Sequence, residues 1–96
     1  KMSLSIKGKL KAVMNEEQVT DKFKKREFVV TVYHTDKYPQ DVKFQLSQDR
    51  IDLIDAHFVG DVIDVHFNLR GKEFTNQEGK VNYFMNLEAW KILAVK

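Results

Sequence analysis

The feature that most constrains the fold is the strict alternation of apolar and polar side chains over residues 61–70. Apolar side chains occupy every odd position of residues 63–69, and polar ones lie between them. Because successive side chains of a strand point to opposite faces, this period of two predicts a half-buried antiparallel strand. The polar residues 76–80 mark a reversal, and the apolar run 83–95 returns as the partner strand. The chain is therefore predicted to be organised around one long β-hairpin.

Three shorter strands are predicted before this hairpin. Residues 3–12 alternate as a first strand, and Gly8 on its inward-facing set predicts a sharp bend of the kind a barrel needs. The polar residues 15–25 are predicted to form a loop. Residues 27–34 and 42–46 alternate again and predict the second and third strands.

Between the third and fourth strands the period changes. Ile51, Ile54 and Phe58 fall at spacings of three and four, which predicts one or two helical turns with one apolar side over residues 49–57. Asp49 is the predicted N-cap, because a carboxylate there can accept hydrogen bonds from the free backbone N–H groups of the first turn.

The last strand does not keep a clean alternation. Leu87, Trp90 and Ile92 cannot share one face without a shift of register, so a bulge is predicted near Glu88–Ala89. Trp90 and Phe67 are predicted to be core side chains.

The order of elements predicts an all-β fold. A short helix between strands 3 and 4 of a five-stranded antiparallel sheet is the plan of the OB-fold, a Greek-key barrel. An SH3-like barrel is the nearest competitor, but it does not account for a helix at that position. Ninety-six residues suit a single domain, so residues 1–96 are predicted to form one OB-fold domain.

Composition narrows the class of protein further. The chain has no cysteine, which excludes disulfides and thiolate metal sites. No apolar run approaches the ~20 residues of a membrane span, so we expect a cytoplasmic protein with no membrane association. The net charge is only +2, but residues 1–26 are rich in lysine and residues 49–64 in aspartate. This distribution predicts one basic and one acidic end.

Several blocks of the sequence resemble a bacterial family of short uncharacterised OB-fold domains, which is itself similar to single-stranded DNA-binding proteins. The resemblance covers nearly the whole chain, and its most specific blocks are Phe67-Asn68-Leu69-Arg70-Gly71 and Asn86-Leu87-Glu88-Ala89-Trp90. It implies an OB-fold, points to single-stranded nucleic acid as the partner and, because similar proteins are usually homo-oligomers, implies self-association. Well-studied bacterial members of that wider group carry an acidic-hydrophobic tail, whereas this sequence stops at Lys96.

The predicted binding surface is the outer face of strands 2 and 3 with the two flanking loops. Binding of single strands needs aromatic rings on which bases stack and cations that neutralise phosphates. The candidate residues of these two kinds are Phe23, Tyr33, Phe74, Tyr83, Lys22, Lys24, Lys25, Arg26, Lys43, Lys72 and Lys80. The alternative interpretation is that Phe74 and Tyr83 pair across the hairpin and Phe23 closes one end of the barrel.

No constellation of residues predicts catalysis or a cofactor. The three histidines lack metal-ligand spacing, no serine or threonine has a plausible base nearby, and no glycine-rich phosphate loop is present. The sequence therefore predicts a binding protein without a cofactor or metal, not an enzyme. Two further functions remain open. One is a protein-interaction or assembly module, which an apolar patch around Val29 and Tyr33 and edge pairing through the first strand would permit. The other is the binding of oligosaccharides or other small ligands on the same face.

Overall fold

The computed structural model of the chain describes residues 4–33 and 37–95. Over these residues it contains six strands and a 3-10 helix between the fourth and fifth: β1 (Leu4–Val13), β2 (Glu17–Thr20), β3 (Phe23–Tyr33), β4 (Pro39–Ser47), the 3-10 helix (Gln48–Ala56), β5 (Val62–Thr75) and β6 (Val81–Ala94). No helix in this part of the chain is long and apolar enough to span a membrane.

The strands close into a barrel. Their order is β1-β5-β6-β4-β3-β2, and β1 also pairs with β3, so five of the six strands form a ring and β2 is an addition at its edge. Neighbouring strands are antiparallel, except that β4 and β6 meet in parallel at Gln45 and Glu88. A five-stranded barrel with one short helix before its fourth strand is an OB-fold, which confirms the predicted fold class.

The first strand serves both halves of the barrel, as its glycine predicted. Residues 4–9 pair with β5, and residues 9–13 pair with β3. Gly8 is buried where the two halves meet. A Cβ atom on Gly8 would lie 2.6 Å from the carbonyl oxygen of Thr31 and would also collide with Val30. Only a residue without a side chain allows β1 and β3 to approach this closely.

We expect Gly8→Ala to lower the free energy of unfolding by about 1–3 kcal/mol, because the added methyl group overpacks a site bounded by backbone. Urea unfolding at low protein concentration measures the loss. The matched control is Gly71→Ala, whose Cβ would meet only the Phe84 carbonyl oxygen, at 3.8 Å. An equal loss from both variants would show that the close approach of β1 and β3 is not what makes Gly8 necessary.

The core lies between the inward faces of the barrel strands. Its fully buried side chains are Leu10, Phe28, Val30, Phe44, Leu46, Ile54, Ile63 and Val65. Phe44 is at the centre, because its ring stacks on Phe28 at a centroid distance of 5.5 Å and meets the edge of Phe67 at 5.2 Å. The alternation that predicted the inward set of β5 is confirmed for Ile63 and Val65, which are completely buried. Phe67 is partly buried against the core, whereas Leu69 is 57% exposed.

The prediction of a loop over residues 15–25 is wrong for residues 17–20 and 23–25. These residues form a hairpin instead, since β2 pairs with the start of β3 in the register Glu17↔Lys25 and Gln18↔Lys24. The second predicted strand therefore begins at Phe23 and not at residue 27. All four residues of β2 are exposed, so neither face needed apolar side chains and the alternation that reveals a strand is absent.

The predicted helix is present as a 3-10 helix. Its buried residues are Ile51 and Ile54, whose spacing of three matches the 3.0 residues per turn of this helix type. Phe58, which the spacing placed on the same apolar side, lies beyond the helix and is 75% exposed. The N-cap is Ser47, whose side chain makes no capping hydrogen bond, and Asp49 lies in the first turn instead.

The predicted bulge lies close to its expected place in β6. His66 pairs with Lys91 and Phe67 with Ala89, so Trp90 is the extra residue. Ala89 takes the inward position and is completely buried. The prediction that Trp90 is a core residue is therefore wrong: its ring lies outside the core cluster and edge-on to His66 on the outer face, at a centroid distance of 5.4 Å.

Candidate nucleic-acid interface

A groove runs across the outer face of the sheet where β3, β4 and β6 lie side by side. Its volume is about 410 Å³, and its walls come from four strands: Val19, Phe23, Lys25, Glu27, Lys43, Gln45, Phe84 and Asn86. The pairing of β3 with β4 sets this arrangement, because the inward positions of both strands carry the core and the alternate positions must face out.

Two lysines lie over the groove, and each has an acidic neighbour. Lys43 Nζ lies 3.3 Å from the carboxylate of Glu27, and Lys25 Nζ lies 3.8 Å from that of Glu17. The Lys43 side chain is 60% exposed, so its ammonium group stays accessible to solvent. Exposed ion pairs of this kind contribute little to stability, so a stronger anion can replace the carboxylate at small cost.

The floor of the groove is a fixed set of polar groups. The Asn86 amide donates to Gln45 Oε1 at 3.4 Å, and the Gln45 amide donates to Ser47 Oγ at 3.1 Å. The Ser47 hydroxyl then donates to a carboxylate oxygen of Glu88 at 3.2 Å. Gln45 is 8% exposed and holds β4 against β6 where their backbones meet. This network gives the groove a preformed polar floor.

Aromatic rings lie at both ends of this floor. Phe23 forms one wall, and Phe84, which is 51% exposed, forms the opposite one. Beyond Phe84, the same face of the hairpin carries Lys72 directly opposite Phe84 and Phe74 directly opposite Asn82. Exposed rings alternating with cations are the chemistry that stacks bases and neutralises phosphates.

A second cavity of about 400 Å³ continues the groove past Phe23 towards the 3-10 helix. It is lined in part by Arg50, Arg70 and Glu88. Arg70 lies opposite Asn86 in the hairpin, so its side chain is on the groove side. The two cavities share Phe23 and together form one path with cations along its length.

The structure brings five of the eleven predicted site residues to this path or to its continuation on the hairpin. Phe23, Lys25 and Lys43 line the groove, while Lys72 and Phe74 lie on the same face of the hairpin. The sequence prediction missed Phe84, Asn86, Arg50 and Arg70 as groove residues. The alternation of β6 could have placed Phe84 and Asn86 on the outer face, because they lie four and two residues before Glu88. In the hairpin they pair with Lys72 and Arg70 of β5.

Four of the other predicted residues lie elsewhere on the molecule. Arg26 donates to Asp55 at 2.8 Å and to the Met14 carbonyl oxygen at 3.1 Å, which ties β3 to the 3-10 helix. The remaining three are at the two hairpin turns or on the opposite face of β3: Lys22, Lys24 and Lys80. Lys24 is on the other face of β3 from the groove, and Lys22 and Lys80 are in the turns of the β2–β3 and β5–β6 hairpins.

Tyr83 and Tyr33 are exposed but outside the groove. Tyr83 lies on the opposite face of the hairpin from Phe84 and donates its hydroxyl to Glu73 at 2.9 Å. Tyr33 lies on the outer face of β3 at its far end, in a separate cavity of about 480 Å³ beside Lys9 and Lys11. The structure therefore does not unite Tyr33 with the aromatic rings of the groove.

Asp41 lines the cavity beside Tyr33, and its contacts there predict a pH dependence. Hydrogen bonds from Lys11 Nζ at 2.6 Å and from Thr31 Oγ1 at 2.9 Å lower the pKa of the Asp41 carboxyl below its ordinary value. A carboxyl whose pKa is lowered by folding stabilises the fold above its unfolded pKa of about 3.9, and this contribution disappears as the pH falls through the folded pKa. NMR titration should show the pKa of Asp41 rising in Lys11→Met. An unchanged pKa in that variant would contradict the assigned cause.

The family described as "Domain of unknown function (DUF3127)" matches residues 5–93. No curated protein matches the sequence.

Two solved structures show the same fold at low identity. The mitochondrial single-stranded DNA binding protein Rim1 of S. cerevisiae is similar with a TM-score of 0.72 and 12% identity, over 99% of this chain and 95% of that one. The N-terminal domain of PriB from Thermoanaerobacter tencongensis, whose structure is dimeric, has a TM-score of 0.67 and 16% identity, over 98% of this chain and 96% of that one. At these identities the likeness is one of fold.

Proposed function

The chain belongs to this family of unknown function, and from its groove we propose that it binds single-stranded DNA or RNA with little sequence preference. In the proposed complex the strand lies across the outer face of β3, β4 and β6. Bases stack on Phe23 and Phe84, and Lys25 and Lys43 neutralise the backbone.

The observation that carries this proposal is a groove in which the half-exposed Phe84 and the partly buried Phe23 lie with lysines on a preformed polar floor. Phe84 is half exposed in a groove that two lysines also line, and it is outside the core cluster, so its position is better explained by a ligand. Every base has a flat π-face, and stacking on such rings does not distinguish strongly among sequences. Fold likeness to a single-stranded DNA binding protein supports the same ligand class.

The acidic residues beside the lysines set the expected strength of binding. A phosphate that reaches Lys43 must displace Glu27 or share the ammonium group with it. The net charge of +2 adds little long-range attraction. We therefore propose moderate affinity with marked dependence on salt. We also propose that the chain self-associates, which the dimeric structure of the PriB domain supports.

A substitution pair tests the aromatic part of the site. Phe84→Ala should reduce affinity for a single-stranded oligonucleotide by about 1–3 kcal/mol, which is roughly 5- to 150-fold, because one stacked base loses its platform. The matched control is Phe58→Ala, which removes a ring that is 75% exposed and lies outside the groove. Fluorescence anisotropy with a labelled strand measures both. Equal affinities for the two variants and the parent protein would contradict base stacking on Phe84.

A protein-interaction module is the second candidate function, and one observation favours it. The face of the hairpin opposite the groove is apolar and exposed, with Tyr83 at 77% and Met85 at 72%. Such patches usually mark contact with another protein. The two functions concern opposite faces of one hairpin, so they can be tested separately.

A further inference from the structure

We refer to residues 69–75 and 81–87 of the β5–β6 hairpin as the arm. Within the described chain, no third strand pairs with either segment, because residues 4–9 of β1 pair with residues 62–67 of β5 and the backbone pairing of β4 with β6 is at Glu88. A two-stranded ribbon alone in water is only marginally stable. The arm therefore has one face for the proposed nucleic acid and a second face without a partner.

That second face, which we call the reverse face, is apolar and carries no cation. The strand register places Leu69, Val81, Tyr83 and Met85 on it, with exposures of 57%, 47%, 77% and 72%. Its charged residue is Glu73, whose carboxylate accepts the Tyr83 hydroxyl. Arg70 and Lys72 both lie on the groove side. Without a cation, the reverse face is unsuited to a phosphate backbone and suits a protein surface.

The reverse face is shaped as a ridge beside a gap. Val81, Tyr83 and Met85 form the ridge along β6. Next to it, β5 carries Gly71 directly opposite Met85, and a Cβ atom there would have only the Phe84 carbonyl oxygen nearby, at 3.8 Å. The space above Gly71 is therefore open. When two such faces meet about a two-fold axis, the ridge of each can enter the gap of the other.

We propose that the reverse face of the arm is a self-association surface, on which two copies pack arm against arm with Met85 of each copy over Gly71 of the other. This inference rests on the self-association proposed above and assigns it to a specific surface. Four side chains of this size, each losing roughly 60–120 Å² to the contact, bury about 500–1,000 Å² over the two copies. That area is at the low end of specific interfaces, so the dimer should be a weak one, with dissociation in the micromolar range.

The arrangement has a consequence for binding. Because the groove and the reverse face are on opposite sides of the arm, a dimer formed through the reverse face leaves both grooves open. Each dimer then presents two binding sites that face away from each other. A long strand or two separate strands can occupy them, and linked sites raise the apparent affinity for a long strand.

Sedimentation velocity from about 1 to about 100 µM protein tests the surface directly, over the range in which a dimer of this size should dissociate. We expect the parent chain to move from 11.3 kDa towards twice that mass. Met85→Glu, which adds a buried charge, and Gly71→Val, which fills the gap with a strand-favouring residue, should both remain monomeric. Phe84→Glu, on the groove face of the same strand, is the matched control and should still dimerise. Circular dichroism establishes that each variant is folded.

The same variants separate this inference from the proposed function. At protein concentrations where all are monomeric, Met85→Glu should bind a short single strand as the parent does, and Phe84→Glu should not. A dimer that persists in both Met85→Glu and Gly71→Val, or a parent chain that stays monomeric throughout, would overturn the inference. Loss of strand binding in Met85→Glu would also overturn it, because the reverse face would then contact nucleic acid. If no variant binds strands while dimerisation follows the expected pattern, the surface stands and the nucleic-acid function falls.

Discussion

Phe44→Ala is expected to lower the free energy of unfolding by about 3–5 kcal/mol, which is a large share of the roughly 5–15 kcal/mol available to a domain of this size. Phe44 is 1% exposed and its ring contacts both Phe28 and Phe67, so its removal leaves a cavity at the centre of the barrel. Each kilocalorie corresponds to about 4–8 °C of melting temperature in a domain of this length. Thermal and urea unfolding should therefore both show a severe loss.

The control for this prediction is Phe84→Ala, which removes the same side chain from a position that is 51% exposed. It should change the free energy of unfolding by only about 0.5 kcal/mol or less, since surface substitutions rarely cost more. Phe67→Ala should fall between the two, because Phe67 is only partly buried while it packs on the core. A loss for Phe84→Ala that equals the loss for Phe44→Ala would mean that the inward and outward faces of the barrel have been confused.

The second large effect concerns salt. If three to four phosphates contact the groove and each releases about 0.7 counterions, log affinity should fall against log salt with a slope of roughly −2 to −3. An increase from about 50 to about 200 mM salt should then weaken binding about 18- to 50-fold. The cations positioned for these contacts are Lys25, Lys43, Arg70 and Lys72.

Single substitutions show which side chains contribute to the salt dependence of affinity. Lys43→Ala should reduce the steepness of log affinity against log salt by about 0.7, because one phosphate contact is lost. Phe84→Ala should lower the affinity equally at every salt concentration and leave this slope unchanged, because stacking releases no counterions. Lys91→Ala is the matched control, since Lys91 is exposed opposite His66, away from the groove. A slope that stays the same in Lys43→Ala would show that Lys43 does not contact a phosphate.

The parts of the fold that could be predicted from the sequence were those in which one face of a strand is buried. Ile63 and Val65 alternate with polar residues because the core demands it, and Gly8 stands out because a strand interior seldom carries a glycine. β2 escaped prediction for the opposite reason. Both of its faces are exposed, so its sequence follows no period and only its pairing with β3 reveals it.

The candidate site was partly predictable for the same reason. Lys43 lies on an outward position of a strand whose inward positions are apolar, so the alternation alone oriented it. Lys25 was predicted to lie in a loop, and its orientation follows from its pairing with Glu17 and Ser47. Phe84 was missed because its surroundings depend on the parallel contact between Gln45 and Glu88, which brings β6 beside β4. Arg26 was assigned to the binding surface because its partner is distant in the chain. Nothing in the local sequence indicates that Asp55 accepts a hydrogen bond from its guanidinium group.

The most direct test of the account is a titration of one labelled 30-mer as a single strand and as a duplex, at about 50 mM salt. Single strands expose the base faces that Phe23 and Phe84 are positioned to stack on, and a duplex hides them. We expect micromolar or tighter binding of the single strand and clearly weaker binding of the duplex. No measurable binding of the single strand, or equal binding of both forms, would contradict the central claim that this groove is a single-strand binding site.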